Sequence, residues 1–220
     1  MQNYVSVELK KCILQFCGIN NVKNVNSAMV VGLGNSHFVA DSLGASVTNK
    51  ILVTRHAIKQ NINLDEKLIE VSAFNTGVFG KTGIESADIV KNLVNLVKPK
   101  VVLIVDTLVA NNYKSLGKSF QISDSGICPG GGLNNFRKKI NSSFLGVPTF
   151  VLGVPLVVYA STFCLDNNKN VNNRNKDFET LVVTPKDIEN IVKITSKILA
   201  NAINLALHKG IKFSELKMYF

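Results

Sequence analysis

Asp41 and Asp106 are the two side chains whose types and placement in this 220-residue chain could do hydrolytic chemistry together. Asp106 directly follows Val101-Val102-Leu103-Ile104-Val105, a continuous, largely β-branched run of the kind that forms a parallel strand covered on both faces. Asp41 comes shortly after Ala28-Met29-Val30-Val31, a second apolar run that ends in Gly32-Leu33-Gly34-Asn35, which reads as a buried strand and a tight turn. In an open α/β sheet, reacting groups gather beyond the carboxyl ends of the strands. Neighbouring strands lie about 4.8 Å apart, so carboxylates at two adjacent ends can share one space. Like charges brought together do not both ionise cheaply, so one carboxyl keeps its proton while the other serves as a base. Such a pair can activate a water with one member and polarise or protonate a peptide carbonyl with the other. The competing roles are structural: Asp41 as the N-cap of a helix, and Asp106 as a loop-start carboxylate bonded to main chain.

Other motifs carry less. Gly32-Leu33-Gly34-Asn35-Ser36-His37 resembles the start of a dinucleotide-binding loop, but His37 stands where the third glycine belongs, and no acidic residue follows at the ribose distance. Asp124-Ser125-Gly126 has the lettering of the pepsin-like proteases. Those are all-β proteins, and here a turn opened by Asp and closed by Gly is the better reading. His37, His56 and His208 have no metal-ligand partner at helical spacing, so neither a metal nor another cofactor is expected. Cys12, Cys17, Cys128 and Cys164 form no C-x-x-C pair and read as reduced thiols.

The elements that must position the two aspartates follow from periodicity. After Asp41, the apolar residues Leu43, Val47, Ile51 and Leu52 are spaced as in a helix. Ile69 to Phe74 reads as a strand, Gly77, Gly80 and Gly83 as a loop, and Glu85–Val97 as a helix closed by Pro99. The order β-α-β-α-β predicts a mostly parallel sheet sandwiched by helices. Thr149 to Val154 reads as another strand, and Asn167 to Lys176 as an exposed polar loop. A long helix is expected to begin at Thr184-Pro185, with an apolar stripe from Ile188 to Ala206 broken only by Thr195. Residues 1–27 read as a short N-terminal segment, and 28–220 as one domain.

Bulk composition narrows the class. The chain is 46% hydrophobic and carries a formal net charge of +10, which would favour an acidic partner or simply a solvated lysine-rich surface. Arg137-Lys138-Lys139 is the main basic cluster, and no aromatic residues interleave with the charges as a nucleic-acid platform would require. The longest apolar run, Val147 to Ala160, is 14 residues with two prolines, short of the roughly 18 that suggest a membrane span. No secretory signal is evident, so a cytoplasmic protein is expected.

Taken in order, several segments resemble the germination protease family. They are Val30-Val31-Gly32-Leu33-Gly34-Asn35, Asp41-Ser42-Leu43-Gly44, Leu52-Val53-Thr54-Arg55-His56, Gly77-Val78-Phe79-Gly80, Thr82-Gly83-Ile84-Glu85, Val105-Asp106, Gln121 to Ile127, Leu145-Gly146-Val147-Pro148, Gly153-Val154-Pro155 and Val182 to Lys186. The resemblance implies an atypical aspartic endopeptidase with a fold like the hydrogenase maturation proteases. It implies catalysis by Asp41 and Asp106, with substrate bound around Asn35, Gly80, Thr82 and Gly83. It further implies small acid-soluble spore proteins as substrates, a tetramer, and action in the spore core. No direct nucleic-acid or membrane partner is expected. The family's long N-terminal region is not matched, so no large pro-segment is expected to be cut away. Three positions depart from the family pattern: Asn111 in place of an Arg, Cys128 in place of a His, and Tyr159 in place of an Asp. Two alternatives stay open. One is a catalytically impaired relative serving as a binding module; the other is a maturation peptidase of the hydrogenase type.

Overall fold

A computed structural model describes residues 1–18, 25–62, 65–66, 68–131, 137–162 and 177–216. The expected polar loop Asn167 to Lys176, along with Gly132 and Cys164, lies outside these residues. The strands are β1 (Ser27–Gly32), β2 (Glu70–Asn75), β3 (Val101–Val109), β4 (Gln121–Ser123), β5 (Thr149–Tyr159) and β6 (Val182–Val183). The helices are α1 (Gln2–Phe16), α2 (Leu43–Thr48), α3 (Arg55–Lys59), α4 (Phe79–Thr82), α5 (Ser86–Val97), α6 (Ser142–Leu145), α7 (Asp177–Thr180), α8 (Ile188–Leu207) and α9 (Phe213–Leu216).

The sheet runs β2-β1-β3-β5-β4. The first four strands in that order are mutually parallel; β4 and β6 pair antiparallel with β5. The α/β sandwich expected from the sequence is therefore present. Alternation along β3 feeds both layers. Val101, Leu103 and Val105 join Ala28, Val30, Leu152 and Val154 under α1, α2 and α8, while Val102 and Ile104 join Met29, Val31 and Val151 under α5 and α6. Every one of these β3 residues is at most 3% exposed, and each buried Val, Leu or Ile contributes about 1.5–3 kcal/mol.

Three local expectations need correction. The helix after Asp41 stops at Thr48 instead of reaching Leu52: the Lys50 and Ile51 N–H groups donate only three residues back, to Val47 and Thr48, and the Leu52 N–H is taken by Asn204 Oδ1, so the last turn tightens and the chain leaves the helix. β3 does not end at Val105; it continues through Val109, since β5 also extends, through Tyr159, and keeps pairing with it. The long C-terminal helix begins at Ile188, not at Pro185: a turn from the Ile188 N–H to the Pro185 carbonyl precedes it, and the Thr184 hydroxyl bonds Pro185 without capping. Residues 2–16 form a helix whose Leu9 and Ile13 enter the main core against α8. Thr195, the polar break in the α8 stripe, is satisfied by donating to the Ile191 carbonyl at 2.7 Å.

The carboxyl end of α8 is fastened by polar groups that carry no periodicity. Asn204 accepts from the Leu52 N–H and donates to the Lys50 carbonyl, both at 2.9 Å. His208 is fully buried. Its Nδ1 accepts from the Ile69 N–H, which leaves Nε2–H to donate to the Leu52 carbonyl. Burial holds its pKa below the ordinary value, against the pull of the Leu52 bond. That bonding pattern makes it a neutral structural histidine.

Candidate active site

β1 leads to β2 on one side and the chain then returns to place β3 on the other, so the carboxyl ends of β1 and β3 form the crevice where the winding of the sheet reverses. The two strands are parallel neighbours in register from Ala28↔Val101 to Gly32↔Val105. The segment that follows β1 is folded tightly over this crevice. Gly34 has φ +95°, and a Cβ there would lie 2.9 Å from Asp41 Oδ1 while colliding with the Asp41 carbonyl. Gly44, at the start of α2, packs so closely that a Cβ would strike the Leu33 main chain and come within 2.7 Å of the Val105 carbonyl. Only glycine allows both approaches, and together they hold the Asp41 turn against β3 near Val105.

Asp41 is the last residue of a 3-10 turn, Val39–Asp41, and the cap position of α2 falls to Ser42. The expected N-cap role is thus replaced by another: Asp41 Oδ2 accepts the Asn35 N–H at 2.8 Å. Asn35 Oδ1 in turn accepts from the His37 N–H, fixing the turn between β1 and Asp41. Asp106 sits within β3, 6% exposed, with Oδ1 accepting the N–H of Thr107 at 2.8 Å.

Both carboxyls line a single cavity of about 1040 Å³, at the upper end of the range usual for ligand pockets. Burial pushes the Asp106 carboxyl up to about 8, the Asp41 charge adds to that rise, and the Thr107 N–H opposes it. Burial also raises Asp41, against the Asn35 N–H. Asp41 is the less buried of the two. A charge on Asp41 opposes ionisation of Asp106, adding to the larger effect of burial.

The rest of the cavity comes from distant segments. Gly126, Ile127, Cys128, Gly130 and Gly131 form part of the wall, held by a reciprocal main-chain pair between Ile127 and Ile140. Arg137 also lines it, donating to Glu85 at 2.7 Å with its guanidinium 4.3 Å above the Phe79 ring. Lys138 pairs with Asp88, so two members of the basic Arg137-Lys138-Lys139 cluster turn back onto the start of α5. Asn111, Cys128 and Tyr159, three positions 17 to 48 residues apart in sequence, all line this cavity.

The other expected site residues are placed differently. Gly80, Thr82 and Gly83 are on the turn of α4 and are not among the cavity-lining residues. Thr82 Oγ1 accepts the Ile84 N–H within that turn, and the neighbouring Phe79 reaches the cavity wall through Arg137. Asp124 is exposed and outside the lining. Its neighbours Ser123 and Ser125 bond each other through their hydroxyls. Thr107 and Arg137 are cavity residues that the sequence reading passed over. Thr107 could have been flagged by its place next to Asp106, whereas Arg137 read only as one charge in a cluster. Among the described residues, no group of three His, Cys, Asp or Glu side chains is arranged to hold a metal ion, and no helix is long and apolar enough to cross a membrane.

A sequence model of the germination protease family matches residues 1–173. The germination protease of Clostridium perfringens (strain SM101 / Type A) is 35% identical over 231 aligned residues, spanning 90% of this chain and 71% of that protein. That of Clostridium tetani (strain Massachusetts / E88) is 32% identical over 251, spanning 99% and 76%. Among solved structures, a NiFe hydrogenase maturation protease from Thermococcus kodakarensis KOD1 overlaps 84% of this chain and 97% of its own, at 13% identity and a TM-score of 0.45.

Proposed function

Because this chain belongs to the germination protease family, we propose that it is an endopeptidase of the spore interior that cuts small acid-soluble spore proteins with Asp41 and Asp106. The observation that carries this reading is the pair of carboxyls lining one cavity at the β1/β3 crevice, with the more buried one pushed up to about 8. At neutral pH, Asp41 is the base and Asp106 the acid. Asp41 takes a proton from a water as its oxygen bonds to the scissile carbonyl carbon. Asp106 donates a hydrogen bond to the carbonyl oxygen, which becomes negatively charged as the tetrahedral carbon forms. The C–N bond then breaks, the leaving nitrogen accepts a proton from the pair, and the cycle ends with one proton shared as before.

Asn111, Cys128 and Tyr159 differ from the family pattern but leave both carboxyls in place. On this reading they alter what the cavity accepts, not the acid–base chemistry. The test is incubation of the purified chain with a purified small acid-soluble spore protein, followed by mass spectrometry of the products. Discrete internal cuts are expected, and Asp124→Asn should keep the rate within about threefold of wild type because surface changes away from a site are generally mild. An intact substrate after prolonged incubation with the folded chain would overturn the proposal. A folded Asp124→Asn variant that cuts nothing would show that the wrong aspartate has been assigned.

A further inference from the structure

β3 has two flanks, and beyond Val105 only one of them is paired with a neighbouring strand. β5 follows β3 through Val109↔Val157, but β1 follows it only to Gly32↔Val105. Beyond that point the chain turns away into the Leu33–Asp41 segment, its last bond to β3 running from the Leu33 N–H to the Val105 carbonyl at 2.8 Å. Residues 106–109 therefore form an extended strand beside a lane that β1 has left.

Main-chain groups along a parallel strand turn alternately to its two neighbours. Val102 bonds towards the β5 side through Pro148, and Val105 towards β1 through Leu33. Thr107 continues the Val105 series. Its N–H is drawn to Asp106 Oδ1, and by the same alternation its carbonyl faces the side that β1 has left. Its Oγ1 is buried and has no hydrogen-bond partner among the described residues, an arrangement that native proteins rarely leave unsatisfied. Thr107, Leu108, Val109 and Ala110 form one wall of the cavity, and Phe38, Ala40 and Asp41 also line it.

Resting on the peptidase reading above, we propose that this lane receives an extended segment of the polypeptide substrate as an added strand on β3, which lays its scissile bond beside Asp41 and Asp106. Strand addition draws affinity from main-chain hydrogen bonds, with side-chain pockets setting preference at alternate positions. The substrates it fits are proteins presenting a stretch without stable secondary structure. A segment already folded as a helix has no free main-chain groups for β3.

The experiment uses a fluorogenic peptide spanning a site at which the chain cuts a spore protein, with analogues that each carry one N-methylated amide. Only every second amide of an added strand points at β3. Methylation there should lower kcat/KM by about tenfold or more, mainly through KM, and methylation at the intervening amides should change it by less than about threefold, given what one main-chain hydrogen bond is worth. If the parent peptide is cut but the analogues show no alternation, strand addition is wrong and the protease reading stands. If neither the spore protein nor the parent peptide is cut, both fall together.

Discussion

Replacing Asp106 with Asn is expected to lower the cleavage rate at least ~100-fold, the low end of a general acid's contribution, while making the protein more stable. Asp106 is 6% exposed, and burial pushes its carboxyl up to about 8 in the folded chain, whereas an unfolded aspartate ionises near 3.9. A carboxyl whose folded pKa is raised stabilises fully only below the unfolded value, and that contribution is lost as pH rises through the folded value. Between about pH 4 and 8 the unfolded chain is favoured by releasing a proton that the native chain retains. Asn has no proton to release and can still accept the Thr107 N–H through Oδ1. Each tenfold change in proton activity is worth about 1.4 kcal/mol, so Asp106→Asn should gain roughly 2–4 kcal/mol at pH 7 and almost nothing at pH 4. Denaturant unfolding of both proteins at the two pH values checks this. Equal stability at pH 7, or a loss there, would mean that Asp106 is ionised in the native state.

Asp41→Asn should also lose at least ~100-fold in rate, for a different reason. On the proposed mechanism it removes the base, and with it the charge that adds to the rise at Asp106. Its fold should survive, because Asn can accept the Asn35 N–H that now bonds Asp41 Oδ2. Groups that act as a unit are strongly non-additive, so the double variant should be within about tenfold of either single one. In the wild type, activity should rise with pH as Asp41 ionises and fall again near pH 8 as Asp106 loses its proton. Turnover of a spore protein by the three variants, with circular dichroism to verify folding, measures both effects. Independent, multiplying losses would contradict a coupled pair.

The meeting of both aspartates at one cavity was legible because each follows an apolar run, Asp106 directly after Val101–Val105 and Asp41 on the segment that follows Ala28–Val31. The parallel order of β1, β2 and β3 followed from the same runs and the helices between them. What could not be read was the fate of strands and turns decided by distant partners. β3 passes Asp106 because β5 pairs with it to Val109, and β5 lies some 50 residues further along the chain. Asp41 leaves the cap position because Gly34 and Gly44 press the intervening turn onto β1 and β3, a close approach with no periodic signature. The fastening of α8 by Asn204 and His208 to residues 50–69 is a pairing of single polar groups over 139 to 156 positions. The cavity wall from Gly126 to Gly131 is tied to the segment before α6 by the bridge between Ile127 and Ile140. Its residues carry no pattern that points to Asp106.

The proposed division into base and acid requires that Asp41 and Asp106 titrate as one unit, with the proton held on Asp106. Carbon-13 NMR of the aspartate side-chain carboxyls across pH 3 to 10, assigned with the two Asn variants, measures it directly. The expected result is an Asp106 midpoint near 8 that moves down when Asp41 is replaced by Asn and remains above the ordinary range, because burial is the larger of its two causes. An Asp106 midpoint near 4, unchanged by Asp41→Asn, would contradict the coupled acid–base pair.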